Sequence, residues 1–524
     1  MSKTIDATQT TTEVMVSHKI LPQKTTVLTS AGIPVSINAV SEYKLAAFDR
    51  NFRPTFVRAD QESNTQDEVI NICTRKGHRA YAITSSSVLT FNGSSLEEKP
   101  VSLLQNDDFI AVPRWFPFQH VSKSPIRILD NLSHLYVTNP DYFPTMMEIL
   151  AELKGTGTHS ALAKRLGFSS GLIKDYRSGL NHPPVRFLTK LMEESGKSIP
   201  ITQFKTKNSP KAISLPGEMS PELAEFLGLV FSDGQLNNNA VRFFNQEILL
   251  HDRFTELSKN LFGIENILYS EDTLKRDIFS SNLCSSALRD FLFVMGMPPN
   301  KKSQTIGIPE ELLCMTPEYL LPFLNAYIAG DGHTSKSAVE IATSSESMVK
   351  HLGVILLKLG LLHRFNSKMV KGHFRWRVTL EGTEKRKLAK MLCSQFHYPK
   401  TDLIIDYGNN GIRNFCGSDV IPLDPSLLDI DTWKIDAVIR DKFSRARYPV
   451  RKGSNISEER LDFFIEVLPE SFPPRKTLLK IKEYLTYFYF DRVKSISSPR
   501  EVPDLVKLRL SEPAFLIGDF NFLI

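Results

Sequence analysis

Hydrophobic positions recur at helical spacing in two widely separated stretches of this chain. Leu223, Phe226, Leu227 and Val230 fall at i, i+3, i+4 and i+7, and Leu320, Phe323, Leu324 and Tyr327 repeat the pattern. Each stretch therefore predicts an amphipathic helix. A second stripe is made of small residues: Ala224, Gly228 and Ser232 in the first stretch, with Pro322, Ala326 and Gly330 at the same offsets in the second. Helices carrying such stripes can approach backbone to backbone. Both stretches end in Asp-Gly, at Asp233-Gly234 and Asp331-Gly332, 98 residues apart (331 − 233). A carboxylate at a helix C-terminus faces the negative end of the macrodipole, and two brought together also repel. A cation removes both penalties, and an oxygen-ligand site of this kind suits Mg2+, which keeps waters and accepts substrate phosphate.

The remaining pattern divides the chain. Residues 1–18 are polar and read as a disordered tail. Over 19–120, short alternating apolar and polar runs punctuated by Gly, Asn and Asp predict a compact all-β unit, and the alternation returns at 476–524. The stretch 121–214 turns helical. Within it HSALAKRLGF is followed by a turn at Gly167, a candidate N-cap at Ser169 and a second helix through Leu172, Ile173 and Tyr176. That is a helix-turn-helix layout, in which Lys174, Arg177 and Arg186 could reach DNA. Over 215–402 each Asp-Gly helix is followed by a strand and another helix. The second copy continues into HRFNSKMVKGHFRWRVTL, a basic hairpin whose Lys368, Lys371, Arg375 and Arg377 are candidate DNA contacts. The stretch 403–475 reads as a helical linker or a decayed second helix-turn-helix.

Composition changes this picture little. At 524 residues the chain is long enough for several domains. It has no run of about 18 apolar residues, which argues against a membrane span, and no apolar core near its start to act as a secretion signal. Its five cysteines are scattered without a CxxC pair, so neither a disulfide framework nor a zinc ribbon is indicated. A net charge of +6 permits nucleic-acid binding without demanding it. The chain is expected to work inside the cell, in the cytoplasm or nucleoid if its host is archaeal or bacterial, and the basic hairpin and helix-turn-helix layout make double-stranded DNA the expected partner.

The paired helices, LAEFLGLVFSDG and LPFLNAYIAGDG, resemble the LAGLIDADG (DOD-type) homing endonucleases, specifically the monomeric kind with two fused half-sites. The resemblance implies a pseudo-twofold αββαββα domain and a monomer. It also implies metal-assisted cleavage of both DNA strands with Mg2+ or Mn2+. Asp233 and Asp331 would then be metal ligands, with the adjoining Gly234 and Gly332 beside the metal. The family also uses a basic residue near the metals, for which Lys275 and Lys371 are candidates, 42 and 40 residues beyond the aspartates (275 − 233, 371 − 331).

The β segments resemble the two halves of an intein's self-splicing (Hint) domain. ILPQKTTVLTSAG and GHRAYAITSSSVLTFNG resemble the opening blocks, and YFYFDRVKSISSPREVPDLVKLRL with AFLIGDFNFLI resembles the closing ones. The positions of the nucleophile, the activating His and the terminal His-Asn fall on Ile20, Ser87, Leu523 and Ile524. The apolar Ile and Leu cannot attack a carbonyl or move a proton, so splicing is expected to be lost. The expected fold is thus a multidomain α+β protein: an all-β Hint-like domain split by insertion of a helix-turn-helix unit and a LAGLIDADG endonuclease. The alternative reading is a DNA-binding regulator that keeps the nuclease fold for recognition alone.

Overall fold

The computed structural model describes residues 17–65, 67–126, 128–209, 211–265, 267–273, 276–299, 302–409, 420–428, 455–499 and 503–524. The chain forms two compact units. One comprises Met1–Gln119, Gly353–Asn366 and Asn414–Ile524, and the other His120–Leu352 and Ser367–Arg413.

The first unit is β-rich, and both ends of the chain build it. In one sheet the order is Ser17–Pro22, Leu505–Leu510, Pro54–Thr65, Lys44–Asp49 and Ala514–Leu516. In the other, Phe488–Ser497 lies between Val69–Thr74 and Phe109–Pro113. Residues from the two ends therefore share one core, in which Val27, Leu45, Val57, Ile72 and Ile110 meet Leu508, Leu516 and Phe522. The helices Glu458–Val467 and Pro473–Tyr484 cover a neighbouring cluster with Leu461, Phe464, Leu478 and Ile481.

The four positions compared with the splicing centre are distributed through this unit. Ile20 lies on the first strand opposite Lys507 and packs with Val69, Ile83 and Leu505. Ser87 opens the strand Ser87–Phe91 opposite Pro100. Leu523 and Ile524 are buried in two different apolar clusters.

The second unit opens with helices. His159–Leu166 ends at Gly167 in the left-handed conformation, and Ser169 caps Ser170–Arg177 by accepting from the Leu172 amide at 3.3 Å. This pair lies between the helices Tyr142–Lys154 and Val185–Ser195 in sequence. The two stretches read as amphipathic helices follow as Pro221–Asp233 and Pro317–Asp331. Proline stands in the first turn of each, where its missing N–H costs nothing, and Ser220 caps the first helix from the Leu223 amide.

Each helix runs directly into a four-stranded antiparallel sheet of the same order. The first sheet is Gly234–Leu236, Val241–Asn245, Arg276–Leu283, Ile267–Thr273, and the second is Gly332–Thr334, Ala338–Thr343, His373–Glu381, Arg364–Val370. Among the described residues no helix is long and apolar enough to cross a membrane.

The small stripe determines how the two helices meet. A Cβ placed on Gly228 would lie 2.5 Å from the carbonyl oxygen of Phe323 and 2.8 Å from Cβ of Ala326. One placed on Gly330 would collide with Ser232. Backbone is in contact with backbone, so no rotamer change can make room. Gly228→Ala is therefore expected to lower the melting temperature, through a destabilisation of about 1–3 kcal/mol. Gly171→Ala, on a helix with nothing within 4 Å of the added carbon, is the clash-free control and is expected to hold or slightly raise the melting temperature in the same thermal melt.

Candidate active site

Each paired helix delivers an aspartate as its last residue and passes straight into a strand. Gly234 and Gly332 make this possible through space rather than handedness, since both are extended. A Cβ on Gly234 would strike the Val230 carbonyl, and one on Gly332 the Ile328 carbonyl. Close packing then brings the two ends together. The Oδ2 atom of Asp233 lies 2.6 Å from the place a Cβ on Gly330 would take, one residue from Asp331.

The two carboxylates are held differently. Asp233 is half-buried, and its Oδ2 accepts from Nδ2 of Asn245 at 2.8 Å. Asn245 is held in turn: its side-chain oxygen accepts from the Glu247 amide at 2.9 Å, and its backbone oxygen is 3.2 Å from Nε2 of His251. Nδ1 of that histidine meets Ser281 Oγ at 2.6 Å. Burial keeps His251 neutral at physiological pH, which fits an Nε2–H donor to Asn245 and an Nδ1 acceptor from the hydroxyl. Asp331 retains more solvent contact and is hydrogen-bonded by the hydroxyl of Tyr327, one turn back on its own helix. That phenol is fully buried and also bonded to Thr343. Thr343 and Asn245 are themselves 98 residues apart (343 − 245), so the repeats support their aspartates from equivalent places with different chemistry.

Electrostatics mark the cluster as one built for positive charge. Burial, followed by the neighbouring charge of Asp233, pushes Asp331 up to about 7. Asp331 keeps a solvent-accessible face, so its carboxyl is crowded by protein rather than sealed from water. Burial raises Asp233 as well, against the amide of Asn245 and the charge of Lys302. Two lysines stand at the helix ends. Lys302 Nζ donates to the backbone oxygens of Val230 (3.1 Å), Ser232 (2.7 Å) and Gly234 (2.7 Å), and Lys400 Nζ donates to that of Gly330 (2.6 Å). These carbonyls form the negative pole of each helix. Burial lowers Lys302 to about 8, opposed by Asp331 and Asp233, and lowers Lys400 in the same direction.

These lysines differ from the expected pair. Lys275 lies outside the described residues. Lys371 sits at the tip of the basic hairpin, where it and Gly372 have φ of 49° and 80°, as a two-residue primed turn requires. The charges acting on the aspartates are instead those of Lys302 and Lys400. Each stands 69 residues beyond its aspartate (302 − 233, 400 − 331), so the lysines obey the 98-residue repeat that the aspartates do. The carbonyl of Gly234 faces the Lys302 ammonium, and Gly332 pairs with Ile341 in the second sheet.

The candidate DNA contacts fall on two separate features. Lys368, Lys371, Arg375 and Arg377 are all exposed on the hairpin, where Arg375 donates to Ser344 Oγ at 2.5 Å and Arg377 pairs with Glu340 at 3.0 Å. Lys174, on the helix pair, and Arg186, on the following helix Val185–Ser195, are exposed. Arg177 is half-buried and already donates to His159 Nε2 at 2.8 Å, which occupies part of its guanidinium.

The donor set fits a hard divalent cation. Among the described residues no third His, Cys, Asp or Glu joins the two aspartates. Carboxylate oxygens with open positions for water and phosphate are the arrangement Mg2+ favours.

Residues 318–391 match the LAGLIDADG-like domain family, a span that contains Asp331 and the basic hairpin. The chain is 34% identical over 174 residues to the A-subunit of the A-type ATP synthase from Pyrococcus abyssi, covering 33% of this chain and 17% of that protein. It is 29% identical over 178 residues to the replication factor C small subunit of Thermococcus kodakarensis, covering 33% of this chain and 20% of that one. It thus spans about a fifth or less of the length of these relatives. In fold, 35% of the chain overlies 96% of I-DmoI solved in complex with DNA and Ca, with 12% identity and a TM-score of 0.27.

Proposed function

We propose that this chain is a site-specific DNA endonuclease that cuts both strands of a duplex, built within the remains of an intein that no longer splices. The observation that carries the reading is the pair of aspartates held together at the foot of two close-packed helices, each with a lysine 69 residues further on. Asp233 and Asp331 would hold Mg2+ or Mn2+, which when bound supplies charge neutralisation at the scissile phosphate and an acidified water. The protein's own groups do the rest. Asn245, fixed by His251, orients the Asp233 carboxylate, and Tyr327 does so for Asp331. Lys302 and Lys400, held on the helix-end carbonyls, would place positive charge beside the two carboxylates, where it could offset negative charge building on a pentacoordinate phosphorus.

Duplex DNA would lie across the two antiparallel sheets, with the basic hairpin following one flank, and with the helix pair 159–177 and the helix after it reaching a further groove through Lys174 and Arg186. An intein origin is suggested by two unlike relatives. The ATP synthase protein and the replication factor perform different tasks, and each matches over a minor part of its own length. A mobile insert common to unrelated hosts leaves that signature. Ile20, Ser87, Leu523 and Ile524 offer no splicing chemistry.

Cleavage of a randomised duplex library with Mg2+ tests the reading. The native chain is expected to yield double-strand breaks, whereas Asp233→Asn and Asp331→Asn yield at most nicks. Lys302→Met is expected to slow cutting on the order of 10²–10³-fold with duplex binding retained. Sequence-specific binding by the native protein with no cutting would leave the regulator reading in its place.

The sign of the pH dependence follows from Asp331. Its carboxyl keeps its proton below about 7, so a cation must displace that proton there and meets a ready carboxylate above it. The Mg2+ needed for half-maximal cleavage is expected to fall as pH rises from about 5.5 to about 8. Without metal the linkage to stability runs the other way: what the raised value contributes is complete below the unfolded value near 3.8 and is lost as pH rises through about 7. Melting in EDTA against Asp331→Asn across the same range reads this directly.

A further inference from the structure

A second concave feature lies apart from the aspartates, beside the turn that leads from the first short strand after Asp233 into Val241–Asn245. It is an open groove of about 780 Å³ bounded by that turn and by the helix Ser286–Val294. Three properties define its chemistry. Phe293, on the helix, is 58% exposed, an uncommon setting for a large aromatic face on a described helix of this unit. Arg242 reaches in from the strand, and its Nε is shielded from water without a hydrogen-bond partner among the described residues. The consecutive Asn237, Asn238 and Asn239 supply amides that both donate and accept.

The groove's other charges cancel. Asp290 is paired with Arg289, and its second oxygen is 2.9 Å from Nε2 of His134. Arg289 also donates to the backbone oxygen of Asn238, which braces the turn against the helix. What remains for a ligand is one aromatic face, the cationic side chain of Arg242 in the groove wall, and a row of amides.

From this we infer that the groove binds single-stranded DNA, one base stacking on Phe293, its phosphate on Arg242 and its edge on the asparagines. An aromatic platform beside a cation is what recognises an unpaired nucleotide, because every base has a π face and every linkage a negative charge. A paired base hides its face in the stack and offers Phe293 nothing. The volume accommodates more than a single nucleotide. The inference rests on the endonuclease reading only for the source of the strand, which would be the unpaired end left by a staggered cut.

The test uses the full chain in EDTA, so that no cutting occurs, with Phe293→Trp as the reporter. Stacking on the indole is expected to quench its added emission when a short single-stranded oligonucleotide is titrated in, and the quench should weaken with salt. Arg242→Gln in the same background is expected to weaken that binding on the order of tenfold. A matching thermal melt establishes that each variant folds. Unchanged emission with the single strand, equal quenching by a blunt duplex, or binding that survives both Phe293→Ala and Arg242→Gln would each overturn the assignment. Duplex cleavage with Mg2+ by the unsubstituted protein is scored separately, so failure of the groove and failure of the endonuclease reading are distinct results.

Discussion

The interaction on which the site depends is the contact between the helices Pro221–Asp233 and Pro317–Asp331 at Gly228 and Gly330. Small side chains let the backbones touch, and contact at that distance leaves the two terminal aspartates nowhere to go but beside each other. Burial raises both acids, and the charge of Asp233 raises Asp331 further. The lysines answer part of that charge, yet each is chiefly engaged with helix carbonyls rather than with a carboxylate oxygen. Negative potential is therefore left at the junction, available to a cation.

The repeats share a plan without sharing all of its chemistry. Sheet order, helix ends and lysine positions recur at one 98-residue spacing. Within that frame an amide steadies one carboxylate and a phenol the other. Asn245 is tied to a buried histidine and serine, whereas Tyr327 is tied to Thr343. The halves of the site consequently surround the two carboxylates with unlike groups.

The β unit shows how chain segments far apart in sequence can share one core. Strand Phe488–Ser497 fills a place between two N-terminal strands, and Leu505–Leu510 does the same in the other sheet. Gly353–Asn366 belongs here too. Asn521, in the left-handed region at φ 56°, donates to the Gly353 carbonyl at 3.0 Å, and Lys358 donates to the Ala31 carbonyl at 2.6 Å. The Phe365 amide donates to the Lys76 carbonyl at 2.7 Å, close enough that only glycine fits at position 77. Such packing ties the β unit together through segments distant in sequence.

The paired helices, their terminal aspartates, the small stripe, the capped helix at Ser169 and the basic hairpin were legible in the sequence, because each is set by local spacing: a 3.6-residue period, a capping hydroxyl, a two-residue turn. The lysines were not. Lys275 lies outside the described residues and Lys371 stands at the hairpin tip, while the chain returns to the helix ends at Lys302 and Lys400, since where a lysine reaches is decided by where the chain returns. Their separation equals the 98-residue spacing of the aspartates (400 − 302), which is the one mark of them in the sequence. The supporting shell of Asn245, His251 and Tyr327, the engagement of Arg177 by His159, the interleaving of the two chain ends and the placing of Gly353–Asn366 in the β unit depended on tertiary structure alone. Each joins residues distant in sequence through hydrogen bonds and packing, interactions that leave no periodic mark on the chain that carries them.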